Sequence, residues 1–428
     1  MFLHPHSSEF DSAVAELALY SPPAVIARAT SPSDVAEAFT YAQAHDLAVS
    51  IRSGGHGGFD SAGTLLIDLS TFTDVEVLDG DRVRVGAGAV WGDVAASLAP
   101  HHLALTSGDT YSVGVGGLTL GGGVGWMVRQ YGLALDNLLA AEVVLPSGAI
   151  VTASADSESE FFWAIRGGGG NFGVVTSFTF QAHPLNGVVF GTISLDPANL
   201  ADTLRAWRDV MRSSPAELNV TFLALPGFDP SAPALAPGPQ LLVCWGGADE
   251  EAAARAIQPL LDLPGVTDSQ IGPRDYVDAL QRMEKPENEV PYVDNNSFAN
   301  DFSDELITEL VAAHESFGAA VLMVRYLRGA FNDVPADATA FAHRGAEVLL
   351  ISAAFLGPDS PADADPVIRA RWAALGDRVT GLYGNFSPTR SSEVTGLMYP
   401  ATTLDRLRSA KRRYDPTNVL RVNHNVGL

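Results

Sequence analysis

Three glycine runs in the first 175 residues constrain this chain more than any other feature. They read "RSGGHGG" from Arg52, "GVGGLTLGGGVG" from Gly114 and "RGGGGNFGVV" from Arg166. Glycine loses more conformational freedom on folding than any other residue, so each run needs a reason. One run alone reads as a turn between strands. Three together point to backbone lying against one large bound group. Main-chain N–H groups opened by glycine can hold a diphosphate as a concave nest, with no lysine needed. The chain has only two lysines, Lys285 and Lys411. The runs lack the strand–turn–helix setting and the following acidic residue of a Rossmann fingerprint, so that motif is a weak match. The first run also encloses a single imidazole, His56. Either His56 is incidental to a turn, or it touches what the glycines approach.

The rest of the sequence bounds what that group can be. A formal net charge of −24 repels phosphate backbones and anionic lipid, which excludes nucleic acid and membrane surfaces as partners. No apolar run approaches a membrane span, and the N-terminus has no basic stretch followed by an apolar one. The expectation is a soluble, cytoplasmic protein of open oligomeric state. Cys244 is the one cysteine, which rules out an internal disulfide and any zinc spacing. It lies in the apolar run "QLLVCWGG" and reads as a small buried hydrophobe.

A chain of 428 residues suggests two domains. "SPSDVAEAFTYAQAHDLAVSIRSGG" predicts a helix capped by Ser31 or Ser33, with Val35, Phe39 and Ala42 on one face. A strand follows and runs into the first glycines. Asp79-Gly80 marks one hairpin, and Pro146-Ser147-Gly148 another. Beyond Pro184 the pattern changes. Strands such as "AAVLMVRYLRGA" and "AEVLLISAAFLG" mix with helices such as "SDELITELVAAH" without strict alternation. That predicts an antiparallel sheet backed by helices, and an α+β fold overall. The chain closes with a basic helix stopped at Asp415-Pro416 and an extended tail.

Four segments in order, spanning nearly the whole chain, carry a more specific signal. They are "PAVIARATSPSDVAEAFTYAQAHDLAVSIRSGGHGG", "VGVGGLTLGGGVGWMVRQYGLALDNL", "FFWAIRGGGGNFGVVTSFTF" and "RRYDPTNVLRVNHN". Together they resemble the berberine-bridge-enzyme-like FAD-linked oxidases, bacterial type, of the vanillyl-alcohol-oxidase and p-cresol methylhydroxylase superfamily. The resemblance implies a two-part FAD-binding domain of the p-cresol methylhydroxylase type over 1–186. It implies a substrate domain over 187–380, and a segment 381–428 returning to the FAD domain.

The same resemblance assigns roles. His56 matches the histidine bonded covalently to the flavin 8α carbon, where a neutral imidazole nitrogen acts as nucleophile. Arg52, Ser53, Gly54, Gly55, Gly57 and Gly58 match the loop around the pyrophosphate. Val113, Gly114, Gly116, Gly117, Gly121 and Gly122 match a second flavin segment. Gly170, Asn171, Gly173 and Val175 match a third, and Asn425 approaches the flavin from the tail. Many family members add a thioether from a cysteine, and here that position is Thr110. One covalent bond is therefore expected. The tail reads "NHN", so His424 is either a second titratable group near the flavin or a packed replacement. Val113 resembles the valine that borders the oxygen-reactive face in oxidases.

For catalysis, "LYGNFS" matches the family's Y-x-N motif, making Tyr383 the candidate base and Asn385 its support. A phenol of ordinary pKa about 10 needs such help. Tyr111, Arg325 and Tyr326 are candidate substrate residues, with Arg325 and Tyr326 on opposite faces of one strand. The implied reaction takes hydride from an alcohol or C–H group of a small molecule, then passes electrons to O2 to give H2O2. The substrate falls in secondary metabolism or carbohydrate oxidation. A flavin dehydrogenase, an oxidative tailoring cyclase and a non-catalytic binding module remain as alternatives.

Overall fold

The computed structural model describes residues 2–19, 21–58, 60–227, 237–282, 290–358 and 360–428. Lys285 lies outside them. The helix Pro32–Ala44 begins where Ser31 accepts from the Asp34 N–H while Asp34 returns a bond to the cap, so Ser31 is the cap. Its buried Val35, Phe39 and Ala42 form the face read from the sequence.

Four strands order as Phe2–Leu3, Val25–Arg28, Leu65–Asp68 and Val49–Arg52, the last three parallel. Strand Val49–Arg52 delivers the first glycine run at its end. A second, antiparallel sheet orders Val75–Leu78, Arg82–Gly86, Val174–Gln181, Leu138–Val144 and Ile150–Ser154. Both sheets share one apolar core with Val35, Phe39, Leu65, Val83, Phe161 and Phe178.

The third sheet has seven antiparallel strands from Val188 to Phe355 in sequence. Helices Leu200–Ser213, Glu250–Leu261 and Asp304–Ser316 cover one face. Leu200, Leu204, Trp207 and Met211 make the stripe that docks the first of these, at the spacing of one helical face. The opposite face of the sheet meets Trp126 and Met127, just beyond the second glycine run. Alternation along Ala320–Tyr326 sends Leu322, Val324 and Tyr326 to the helices. Val321, Met323 and Arg325 turn toward the glycine segments. Cys244 is fully buried in apolar packing, and burial pushes its thiol pKa up. Among the described residues no helix is long and apolar enough to cross a membrane, and no cluster of metal-ligating side chains occurs.

Candidate active site

The first two glycine runs interlock. A Cβ added at Gly54 would lie 2.7 Å from the Gly114 Cα, and one added at Gly114 would lie 2.8 Å from the Gly54 Cα. Carbon atoms in contact prefer about 3.5–4.0 Å, so only glycine permits the two backbones to touch. Ser53 fastens the crossing: its hydroxyl donates to the Ala87 carbonyl at 2.6 Å and accepts from the Gly116 N–H at 3.4 Å. Arg52 curls over its own loop and donates to the Ser53 carbonyl at 3.3 Å. Burial lowers its pKa. Gly55, His56, Gly57 and Gly58 form the exposed tip.

His56 leans from that tip onto the second run, with Nε2 3.0 Å from the Ser112 hydroxyl. The crowding of its loop pulls its pKa below the ordinary value. A hydrogen bond to the Ser112 main chain works against this, and Arg52 adds to the lowering. The imidazole is therefore neutral at pH 7.

Other glycines are explained by different neighbours. A Cβ at Gly121 would overlap the Asn385 side chain, lying 2.7 Å from its Cγ. Gly122 has φ +147° and sits under the Tyr383 ring. Gly173 packs against Val143 and Val175 is buried in the sheet core, so both serve the fold from inside. Val113 is half-buried, and its carbonyl accepts from the Trp91 N–H. Gly117 and Gly170 are different. Nothing lies within 4 Å of a Cβ at Gly117, and only the Ile51 Cδ1, at 3.8 Å, meets one at Gly170. The protein itself does not require glycine at either place. The N–H groups of Gly54, Gly55 and His56 also take no partner among the described residues. Open glycines beside spare donors are what a flavin and its diphosphate would use.

Asn171 has partners of its own within the protein. Its side chain donates to the carbonyls of Gly168 and His424 and accepts from the Val426 N–H. It staples the third glycine run to the tail. Lys411 reinforces this from beneath, donating to the carbonyls of Asn171 and Leu420 and to Asp415, each at 2.8 Å. Asn423 donates to the Gly170 carbonyl, and Asn425 accepts from the Gly427 N–H. His424 is buried, its Nε2 3.1 Å from the Gly384 carbonyl, and burial lowers its pKa.

Tyr383 is buried, and its hydroxyl oxygen accepts from the Gly123 N–H at 2.8 Å and from Asn385 Nδ2 at 2.9 Å. Asn385 also donates to the Leu118 carbonyl. Asn296 holds the loop by accepting from the Tyr383 N–H. Burial drives the Tyr383 pKa up to about 12, against the opposing pull of Gly123, Asn385 and Arg325. Arg325 is buried, paired with Asp109, and lies over the Phe386 ring at 5.9 Å. Tyr383, Asn385, Arg325 and Asp109 thus meet the second glycine segment at one place.

Two candidate substrate residues lie elsewhere. Tyr326 is in the helix-side core, edge-on to Trp207 and under the Arg129 guanidinium. The period-2 pattern put it opposite Arg325, and only Arg325 faces the glycine segments. Tyr111 turns outward, donating to Asp93 at 2.7 Å beneath the Arg282 guanidinium. Sequence reasoning missed Ser112, Asp109, Asn296 and Lys411. Ser112 carried one signal, its place directly before the V-G-V-G-G segment.

The fold and this arrangement define a flavoprotein of the FAD-linked oxidase class. The chain matches the family model described as FAD binding domain over residues 23–154 and that described as berberine and berberine like over 383–427. It belongs to the berberine-bridge-enzyme-like FAD-linked oxidoreductases. It is 30% identical to (R)-6-hydroxynicotine oxidase of Paenarthrobacter nicotinovorans, over 94% of this chain and 91% of that one. The crystal structure of 6-hydroxy-D-nicotine oxidase from Arthrobacter nicotinovorans superposes with a TM-score of 0.84 at 27% identity, covering 100% and 97% of the two chains. A chitooligosaccharide oxidase of Gibberella zeae is 27% identical over 96% of this chain and 88% of its own length.

Proposed function

We propose that this protein is an oxidase that tethers FAD through His56 alone and passes electrons from a small alcohol or C–H substrate to O2, releasing H2O2. The observation that carries this reading is the interlocked loop at Gly54 and Gly114. It presents a neutral His56 beside open glycines, with Thr110 where a thioether would need sulfur. Bound FAD would supply the two-electron acceptor. Arg52 to Gly58, Gly114 to Gly117 and Gly170 would hold it.

The substrate would meet the remaining groups. Tyr383 takes the substrate proton when ionised, and the Gly123 N–H and Asn385 amide then hydrogen-bond the phenolate. Arg325, kept in place by Asp109, adds a positive charge on the same side. Burial of this cluster excludes water from the transfer. Similarity to a hydroxynicotine oxidase and a chitooligosaccharide oxidase favours a hydroxylated heterocycle or an oligosaccharide. The test is turnover of both classes under air with H2O2 and O2 measured together. One H2O2 per O2 consumed is expected. Turnover that needs an added dye and leaves O2 untouched would instead make it a dehydrogenase.

A further inference from the structure

Met323 stands two residues before Arg325, on the face of the strand turned to the glycine segments, and the function above gives it no part. We propose that Met323 is a modification site: its thioether takes one oxygen atom from hydrogen peroxide, and Arg325 promotes the step and then holds the sulfoxide. The peroxide is the product named under the proposed function, so its source rests on that reading.

The contacts of Arg325 carry the inference. Its side chain is 4% exposed, and Asp109 is its one anionic partner among the described residues. Nε donates instead to Met323 Sδ, at 3.3 Å. A thioether sulfur is a weak acceptor, so a buried charged donor is poorly served there. The remaining N–H groups of the guanidinium take no hydrogen-bond partner among the described residues. The spot is rich in donors and short of oxygen acceptors. Oxygen added to Sδ supplies the acceptor that is missing.

Position supports the same reading. Met323 is half-buried and packs against two apolar clusters, one with Tyr276 and Cys244, the other with Phe298 and Tyr383. Peroxide made beside Tyr383 therefore arises next to the packing that holds this sulfur. Met127 and Met211 are fully buried. Met398 is half-buried like Met323, but it packs on Gly384, and no hydrogen bond reaches its sulfur among the described residues. Met1 and Met283 lie outside those residues.

In the step, a sulfur lone pair attacks one oxygen of the peroxide and the O–O bond breaks. The second oxygen leaves as hydroxide, takes the proton of the first and departs as water. Sulfur is oxidised by two electrons and the peroxide is reduced by two. The spare N–H groups of Arg325 hydrogen-bond the departing oxygen while it carries charge. The product oxygen then needs room. An N–H···O bond alone spans about 2.9 Å. Nε starts only 3.3 Å from Sδ. The guanidinium must back away to donate to the new oxygen, and that draws it off Asp109.

The test is peptide mapping by mass spectrometry of full-length holoprotein exposed to H2O2. Met323 should gain one oxygen about tenfold faster than Met127, Met211 and Met398. Met323 that gains oxygen no faster than those three overturns the proposal, and the wild type alone decides it. Arg325→Leu should bring the Met323 rate down to that of Met398. An unchanged rate in that variant overturns the part given to Arg325. In crystals of the treated protein, the Arg325–Asp109 pair should be parted in the wild type and kept in Met323→Leu. A sulfoxide beside an intact pair overturns the capture. The source is tested separately. Holoprotein reduced with stoichiometric dithionite and opened to air, with catalase in the buffer, makes its peroxide within the site. The same mark on Met323 is expected. A mark from added H2O2 with none from this cycle removes the oxidase reading and leaves the modification site standing.

Discussion

Gly114 and Gly117 lie three residues apart, and their substitution by alanine should fail in opposite ways. Gly114 has φ −69° and ψ 140°, which alanine adopts without strain. The whole effect of Gly114→Ala is steric: its Cβ would lie 2.8 Å from the Gly54 Cα. Forcing a methyl group into a filled space costs about 1–3 kcal/mol. In a chain of this size that lowers the melting temperature by about 2–4 °C per kcal/mol. Gly117 sits inside helix Val115–Gly121 with nothing within 4 Å of its would-be Cβ. Alanine there should stabilise the FAD-free protein by about 0.5–1 kcal/mol through helix propensity. If FAD lies against Gly117, the same methyl group should weaken FAD binding by about tenfold or more, since overpacking costs about 1–3 kcal/mol. The assay is thermal unfolding of FAD-free protein followed by FAD titration. Gly117→Ala that binds FAD as the wild type does would refute the assignment of the second run. Gly114→Ala with an unchanged melt would refute the interlock.

Three further outcomes follow from the site. Ionising a phenol of pKa about 12 at pH 7 costs roughly 7 kcal/mol, so kcat/KM should rise about tenfold per pH unit in the alkaline range. A flat profile from pH 7 to 10 argues that Tyr383 is not the base. Because the folded pKa of Tyr383 exceeds its unfolded value, its stabilising contribution is complete below pH 10 and is lost as pH rises toward 12. Tyr383→Phe should therefore flatten the stability loss measured by denaturant titration between those values. Lys411→Met strands the buried Asp415 carboxylate and should cost about 3–5 kcal/mol in the same titration, loosening the tail through Asn171.

The strands and helices were legible wherever apolar spacing repeats, as in Pro32–Ala44 and Asp304–Ser316. Helix Val115–Gly121 was not, because seven glycines and a threonine in the twelve residues 114–125 hide any periodicity. In the candidate site, His56 and Tyr383 stand out in the sequence because both lie in short motifs. Its glycines were legible as a group but not singly. Sequence does not reveal that Gly54 answers to Gly114, Gly121 to Asn385 and Gly173 to Val143. Strand alternation separated Arg325 from Tyr326 but could not tell which faced the cleft. That depended on the helices taking the Tyr326 side. Asn171 entered through the resemblance of its segment to a flavin-binding one, and its bonds to the distant backbone of His424 and Val426 became visible only in three dimensions.

The central claim is one flavin on one histidine, and acid precipitation tests it directly. Wild-type protein denatured in acid should give a yellow pellet, and mass spectrometry should find one FAD, less two hydrogens, on the peptide bearing His56. His56→Ala should release all its colour to the supernatant, and Thr110→Ala should retain it in the pellet. A white wild-type pellet under a yellow supernatant, or flavin mass on any other peptide, would contradict the account.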